Sequence, residues 1–213
     1  MYLIGLTGSI GMGKTQTAAL FEQEGVPRYD ADAAVHALYE VGGAAVEPIG
    51  EMFPEAVRDG AVDRAVLGQI VLKDSAKLAA LEKAVHPLAG ATQVDFLNAQ
   101  IAAGATHVLL DIPLLFETGG HEFVDCVVVV SAPPEVQRAR VLARPGMTEE
   151  KVGDILTKQV ADSDKRAAAD FIVDSSVSVD DAHRQVKEIL AELRDRKGTA
   201  LQARLDRALA REK

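Results

Sequence analysis

Residues 8–15 carry glycines, a lysine and a threonine at the spacing G-x-x-x-x-G-K-[S/T], which is typical of a phosphate-binding loop. In such a loop the glycines let backbone N–H groups turn towards the ligand, and the following helix adds partial positive charge. Lys14 would reach the outer phosphates as a mobile charge, and the Thr15 hydroxyl would help to hold Mg²⁺. We therefore expect a bound nucleotide. The expected contacts are Gly8, Gly11, Met12, Gly13, Lys14, Thr15 and Gln16.

The segments on either side of this loop are the ones that its mechanism requires. The apolar run over residues 2–6 predicts a buried strand, and residues 16–24 predict a helix that follows the motif directly. A glycine-rich turn that binds nothing is the alternative. The strand, loop and helix in this order disfavour it, because all four fixed positions of the motif are present.

Acidic residues follow two further predicted strands, at the edge where open α/β sheets bind ligands. Residues 26–29 predict a short strand that leads to Asp30 and Asp32, and the apolar run over residues 108–112 contains Asp111 near its end. We interpret Asp32 as a candidate general base and Asp30 as a neighbour that orients it or binds metal. Capping of the next helix is the alternative for either acid. Asp111 is a candidate to meet Mg²⁺ through water.

Three arginines precede a predicted hinge. Pro134 falls in the first turn of a predicted helix that carries Arg138, Arg140 and Arg144. Residues 145–146 break this helix, and residues 148–150 begin another with a capping hydroxyl and two acids. A short hinged helical segment of this kind is typical of a lid, in which Arg140 and Arg144 would stabilise a transferring phosphoryl group. A solvated or salt-bridged helix face explains Arg138 equally well.

Residues 33–104 predict a helical insertion without a parallel strand. Apolar residues recur there at helical spacing, and the proline after His86 predicts the end of a helix. The insertion is larger than a crossover connection needs, so we expect it to bind the phosphoryl acceptor. His86 is a candidate ligand contact, with a structural histidine at a helix end as the alternative. Residues 113–117 leave the sheet with apolar side chains that look exposed, among them Leu114 and Leu115.

The composition is that of an ordinary soluble protein. The 213 residues are 48% hydrophobic and carry a net charge of −9, which disfavours nucleic acid and membrane surfaces as partners. Residues 194–213 hold seven Lys or Arg against three Asp or Glu, and a solvated amphipathic helix or frayed end is the favoured interpretation.

The single Cys126 is expected to be buried and unreactive. With no signal segment or membrane-spanning run, we expect a cytoplasmic protein. We also expect a monomer or a weak homo-oligomer.

Predicted strands at 124–130 and 171–174 and a helix at 179–193 complete the pattern. Apolar strands alternating with helices predict an α/β protein: a three-layer P-loop NTPase or kinase fold with a parallel sheet, a helical substrate-binding insertion and a short helical lid. We expect a nucleotide-binding core over residues 1–32, 104–143 and 159–195. The insertion spans 33–103, the lid 144–158 and a basic tail 196–213.

The sequence resembles the dephospho-CoA kinase family over about residues 1–178. The matching segments occur in the family's order at residues 5–15, 30–32, 86–87, 111–117 and 140–159. The ordered combination with Asp-Ala-Asp and Pro-Leu-Leu-Phe-Glu is more specific than the phosphate loop alone. The resemblance implies an enzyme that uses ATP and Mg²⁺ to phosphorylate the ribose 3′-hydroxyl of dephospho-CoA, giving coenzyme A and ADP.

The resemblance also implies roles for particular residues. Asp32 corresponds to the general base, and Lys14, Arg140 and Arg144 would bind phosphates. The acceptor would contact Asp32, His86, Leu114 and Leu115 in and beside a helical CoA domain. The departures from the family pattern are Ser9 for a glycine, Thr15 for a serine, and Asp174-Ser175-Ser176-Val177 for the Asp-Asn-x-Gly at the adenine end of ATP.

Two other functions are compatible with a phosphate loop. Another small P-loop kinase, acting on a nucleoside, nucleotide or sugar acid, would share the core and the lid. The size of the insertion and the apolar 113–117 segment favour a larger acceptor. A guanine-dependent switch is disfavoured, because the only asparagine, Asn98, is followed by Ala99 and no Asn-Lys-x-Asp motif exists.

Overall fold

The structure of the protein, a computed structural model, describes residues 1–210, with the backbone alone for Leu209 and Ala210. Residues 211–213 of the predicted basic tail lie outside the described residues. The strands are β1 (Tyr2–Thr7), β2 (Arg28–Asp30), β3 (Val57–Arg58), β4 (Ala61–Val62), β5 (His107–Asp111), β6 (Cys126–Ser131) and β7 (Phe171–Asp174). The helices are α1 (Lys14–Gln23), α2 (Ala31–Tyr39), α3 (Val46–Met52), α4 (Arg64–Val71), α5 (Ser75–Ala102), α6 (Pro134–Leu142), α7 (Glu149–Leu156), α8 (Asp162–Ala167), α9 (Val179–Leu193) and α10 (Leu201–Ala210).

The chain forms two compact units. The larger unit consists of Met1–Tyr29 and Gln100–Gln202 and contains a five-stranded sheet in the order β2-β5-β1-β6-β7. Strand β1 pairs in parallel with β5 and β6, and β6 pairs in parallel with β7. The α/β fold with a parallel sheet is therefore confirmed. Its central strands β1 and β6 are buried along their whole length because both faces of the sheet are covered.

The two faces of β6 show how the layers are built. Val128 and Val130 belong to the core cluster that also contains Phe21 of α1 and Val186 of α9. Val127 and Val129 pack on the opposite side, against the segment that follows β5. Cys126 is 3% exposed, and burial raises the pKa of its thiol to about 12, so it is the inert hydrophobe that the sequence predicts.

The smaller unit consists of Asp30–Ala99 and the C-terminal residues from Ala203. Its own hydrophobic core draws on α2, α3, α4 and the first half of α5. It also contains the antiparallel hairpin β3–β4, which sequence reasoning missed. Asp59 and Gly60 form the two-residue turn with φ of 51° and 78°. Asp-Gly is a strong hairpin signal, so this element was readable from the sequence.

Helix α5 corrects the prediction that a helix ends at His86. The helix runs without interruption from Ser75 to Ala102 with Pro87 inside it. Proline removes one backbone donor and disfavours a helical residue before it, but it does not forbid the helix. Buried residues on both sides of Pro87, including Val85 and Leu97, anchor the two halves in the core and offset this loss.

Helix α10 corrects the interpretation of the basic tail as solvated. Arg204 is only 6% exposed, and its Nε donates to Oε1 of Gln93 at 2.8 Å. A Cβ atom on Gly90 would lie 2.6 Å from the carbonyl oxygen of Ala208, so α5 and α10 approach closely there. The part of the tail that contains Arg204 and Ala208 therefore packs within the smaller unit. None of the helices within residues 1–210 is long and apolar enough to cross a membrane.

Candidate active site

The phosphate loop connects β1 to α1, and its conformation depends on glycine. Gly11 and Gly13 have φ of 80° and 87°, a region that side chains rarely adopt, and Gly13 is the N-cap of α1. Gly8 has a different constraint, because a Cβ atom there would lie 2.7 Å from the carbonyl oxygen of Val130. The first turn of α1 then carries Lys14, with Thr15 and Gln16 exposed beside it.

Side chains from later elements hold the loop in place. The amide of Ile10 donates to Oε1 of Gln159 at 3.2 Å, and its carbonyl accepts from Nε2 of Gln137 at 2.8 Å. Met12 is buried, and its Sδ accepts from the amide of Ala132 at 3.1 Å. The loop is thus preformed by contacts to α6, to the segment after α7 and to the end of β6. No sequence pattern indicated that Gln137 and Met12 support the loop.

A buried acid lies behind the loop. Asp111 ends β5 opposite Leu6 of β1 and is fully buried. Lys14 Nζ lies 2.5 Å from its Oδ1, and Arg28 donates to its Oδ2 from Nε at 3.0 Å and from Nη2 at 2.6 Å. Two cations therefore compensate one buried carboxylate, which would otherwise be costly. Sequence reasoning missed Arg28, since nothing in the sequence pairs a charge in β2 with an acid eighty residues later.

The surroundings of Thr15 and Asp111 indicate how each could contact a divalent cation. Among residues 1–210 no three His, Cys, Asp or Glu side chains cluster as a metal site. A magnesium ion bound with a nucleotide needs few protein ligands, because phosphates and water supply the remainder. The exposed Thr15 hydroxyl fits a direct ligand. Asp111 lies behind Lys14 with both oxygens engaged, so it fits an indirect contact through water better than a direct one.

The three predicted arginines have different surroundings. Arg140 is partly buried and donates from Nη1 to Oγ of Ser175 at 2.8 Å and from Nη2 to its carbonyl at 2.7 Å. Arg144 is exposed, and its guanidinium has no partner among the described residues. Arg138 pairs with Glu149 of α7 at 2.7 Å, both largely exposed, which matches the salt-bridge alternative. Helix α7 begins as expected, with Thr148 accepting from the amide of Lys151.

A cavity of about 340 Å³ lies beside the loop. Gly13, Gln16, Arg140 and Ser175 line one part of it, and apolar residues 177, 179 and 182 line another. The cavity reaches from the backbone donors at the start of α1 to the end of β7. A nucleotide whose phosphates lie on the loop can place its remaining part here.

The acceptor residues predicted from sequence fall in both units. Asp30 caps α2, accepting from the amide of Ala33 at 3.0 Å, as its capping alternative describes. Asp32 lies in the first turn of α2, and His86 lies on the exposed side of α5. Leu114 is 43% exposed, but Leu115 is fully buried beneath Gly5 and beside Val127. The expectation that Leu115 is exposed is wrong, because its side chain fills the core.

A polar cluster follows the lid in the larger unit. Glu117 Oε1 accepts from the amide of Val160 at 2.9 Å and pairs with the fully buried Lys165 at 2.9 Å. Asp162 accepts from the hydroxyl of Ser131 at 2.7 Å. The chain after α7 is thereby tied both to the 113–117 segment and to the end of β6. Sequence reasoning gave Glu117 only as part of a motif and missed Lys165.

Comparisons with known proteins agree on the family. The family model described as dephospho-CoA kinase matches residues 2–181. The dephospho-CoA kinase of Mesorhizobium japonicum is 53% identical over 199 residues, which are 93% of this chain and 100% of the relative. That of Agrobacterium fabrum is 53% identical over 91% of this chain and 98% of the relative.

Solved structures show the same architecture. TT1252 from Thermus thermophilus superposes with a TM-score of 0.78 at 36% identity, covering 90% of this chain and 97% of that one. The dephospho-CoA kinase from Campylobacter jejuni superposes with a TM-score of 0.63 at 21% identity, covering 90% and 96%, and so shares the fold.

A phosphate loop on a parallel sheet, with a buried acid behind its lysine and a helical segment bearing arginines, defines a P-loop kinase. It is a transferase that phosphorylates an alcohol group. Since the family model covers most of the chain and relatives are about half identical, the chain belongs to the dephospho-CoA kinase family.

Proposed function

We propose that this chain transfers the γ-phosphoryl group of ATP to the ribose 3′-hydroxyl of dephospho-CoA, with Asp32 as general base. The observation that supports the reaction is the family match over residues 2–181. This match spans the phosphate loop, Asp32, Asp111 and the lid arginines. The remaining residue roles rest on the geometry of each unit and on the chemistry of phosphoryl transfer.

The proposed mechanism relies on positioning and charge neutralisation. The phosphates of ATP lie along the backbone donors of residues 8–15, with Lys14 against the outer phosphates. Asp32 accepts the proton of the 3′-hydroxyl as its oxygen bonds to the γ-phosphorus. The bond from the γ-phosphorus to the β–γ bridging oxygen breaks, and ADP leaves with that oxygen.

In this proposal Lys14 contacts Asp111 as well as the outer phosphates of ATP. In the described arrangement its ammonium pairs with Asp111, which Arg28 also binds. Because Arg28 keeps Asp111 compensated, Lys14 can turn part of its hydrogen-bonding capacity to a phosphate without leaving a bare buried charge. Asp111 thus holds the lysine at the mouth of the loop.

A magnesium ion is also part of the proposal. Thr15 would bind it directly and Asp111 would contact it through water, and when bound it neutralises charge on the outer phosphates. The support is the exposed hydroxyl of Thr15 at the start of α1 and the position of Asp111 behind Lys14.

The lid arginines would act on the transferring group. Arg140 and Arg144 are proposed to contact phosphate oxygens and to help exclude water, which competes with the acceptor. Arg144 has a free guanidinium among the described residues, and Arg140 lines the cavity beside Gly13. Gly146, with φ of 74°, lies between α6 and α7 at the root of the lid.

For the acceptor we propose contacts from Asp32, His86 and the exposed Leu114. Leu115 would serve by packing beneath this segment. A cytoplasmic location and a monomeric or weakly associated state remain predictions from the sequence.

A comparison of four possible phosphoryl acceptors tests the proposed reaction. ATP consumption with Mg²⁺ is measured for dephospho-CoA, adenosine, AMP and gluconate at equal concentration. We expect turnover with dephospho-CoA and background rates with the three smaller acceptors. Turnover with a small acceptor alone would contradict the proposal while leaving the phosphate loop chemistry intact.

A further inference from the structure

Ser175 is the first residue after β7. Its amide donates to the carbonyl of Ser131 at 3.0 Å, which continues the β6–β7 pairing by one residue and fixes its backbone. Its side chain therefore leaves a rigid point of the sheet edge. This position is a good base from which to orient another group.

The Ser175 side chain joins two parts of the site. Its hydroxyl donates to the carbonyl of Met12 in the phosphate loop at 2.7 Å. The same oxygen accepts from Nη1 of Arg140 at 2.8 Å, and Nη2 of Arg140 donates to the Ser175 carbonyl at 2.7 Å. Since the single hydroxyl proton is used by Met12, the oxygen presents lone pairs to the guanidinium. The two hydrogen bonds strengthen each other.

These contacts place the guanidinium at the beginning of α1. A Cβ atom on Gly13 would lie 2.9 Å from the Ser175 hydroxyl and 3.6 Å from Nη1 of Arg140. Gly13 is the N-cap of α1, where free backbone donors and the helix dipole attract phosphate. All three residues line the 340 Å³ cavity beside the loop. The arginine is thus oriented by contacts within the protein itself.

We propose that Ser175 is a positioning residue for phosphoryl transfer, whose hydroxyl fixes Arg140 against the phosphate loop. This rests on the proposed role of Arg140 in binding phosphate. An arginine side chain has many rotamers, and two bonds to one rigid residue remove most of that freedom in advance. Preorganised charge of this kind accelerates transfer because no reorganisation is needed at the moment of reaction.

The test compares Ser175→Ala with Ser176→Ala, which lies next to it and outside the cavity lining. We measure kcat and KM for ATP at saturating dephospho-CoA. Ser175→Ala removes both hydroxyl bonds but keeps the bond to the carbonyl, so we expect kcat to fall by about tenfold, as for one hydrogen bond to a charged group. Ser176→Ala should match the wild type. Unchanged kcat in Ser175→Ala overturns the proposal.

A double-mutant cycle with Arg140→Ala separates positioning from a general structural role. If Ser175 acts through Arg140, Ser175→Ala lowers kcat no further in the Arg140→Ala background, within about twofold. An equal loss in both backgrounds overturns the proposal. Full activity of Arg140→Ala itself would refute the proposed role of Arg140. An impaired Arg140→Ala beside a fully active Ser175→Ala refutes only the role of Ser175.

Discussion

Arg28 binds Asp111 through two N–H groups of one guanidinium, with Nε at 3.0 Å and Nη2 at 2.6 Å from the same carboxylate oxygen. The other oxygen of Asp111 faces Lys14. A strand at the edge of the sheet therefore stabilises the acid that holds the lysine of the phosphate loop. The arrangement makes Arg28 part of the support of the nucleotide site.

Arg28→Met should destabilise the fold. It removes one of the two cations that compensate a fully buried carboxylate, and Lys14 remains as the other, so we expect the free energy of unfolding to fall by about 2–3 kcal/mol. Urea denaturation measures the change. Arg184→Met is the matched control, because Arg184 forms exposed ion pairs on α9 and should change stability by less than about 1 kcal/mol. Equal losses in the two variants would contradict the role of Arg28.

Lys14→Ala should impair nucleotide use. The loop keeps its backbone donors but loses its mobile charge, so we expect KM for ATP to rise and kcat/KM to fall by about 10²–10³. Steady-state kinetics with varied ATP give both values. Lys187→Ala on α9 changes an exposed lysine of the same unit and should behave as the wild type. Unaltered kinetics of Lys14→Ala would refute the assignment of the loop.

The Glu117–Lys165 pair should make stability depend on acidity. Burial raises the pKa of Glu117, but the Lys165 ammonium 2.9 Å away and the hydrogen bonds from backbone amides outweigh it, and the net pKa lies below the usual 4.5. A carboxyl with a lowered folded pKa contributes stability above its unfolded pKa and loses it as the pH falls through the folded pKa. We expect wild type to lose more stability than Glu117→Gln/Lys165→Met between pH 5 and about pH 3.

The same pair provides a comparison at neutral pH. Lys165→Met alone leaves the Glu117 carboxylate partly buried without its cation, whereas Glu117→Gln/Lys165→Met leaves an uncharged acceptor for the amide of Val160. The double variant should therefore be more stable than Lys165→Met, as measured by thermal unfolding at pH 7. A double variant less stable than the single variant would show that the pair does not act as a unit.

The effect of Gly90→Ala on the free energy of unfolding should have opposite signs with and without α10. In the whole chain the added methyl group meets the carbonyl oxygen of Ala208 at 2.6 Å, so we expect a loss of about 1–3 kcal/mol. In a chain that ends at Gln202, α10 is absent and alanine is the better helix former, so the same substitution should stabilise by about 0.5–1 kcal/mol. Urea denaturation of the four proteins gives both effects. A loss of the same size in both lengths would contradict the packing of α10 on α5.

Much of the larger unit could be predicted from the sequence. Strands β1, β5 and β6 each contain an uninterrupted apolar run, because parallel strands are buried on both faces. Helix α9 was predicted with its observed bounds, since apolar residues recur regularly between a capping serine and its end. The phosphate loop was predicted because its fixed residues follow from local backbone geometry.

The remaining features depend on contacts that local patterns do not contain. The proline rule predicted an end at His86, but packing on both sides carries α5 through Pro87. A run of adjacent apolar residues does not tell which side chain faces inwards, so Leu114 and Leu115 were not distinguished. The charge of Arg204 suggested a side chain exposed to solvent. Gln93, 111 residues earlier in the chain, instead supplies a buried hydrogen-bond acceptor.

The most direct test measures coenzyme A formation from ATP and dephospho-CoA by the wild type, Asp32→Asn and Asp59→Asn. Asp59 is the control, an exposed acid in a hairpin turn whose positive φ asparagine also tolerates. We predict that Asp32→Asn binds ATP as the wild type does but forms coenzyme A about 10²–10⁴ times more slowly, as expected for loss of a general base. Coenzyme A formation by Asp32→Asn at the wild-type rate would contradict the account.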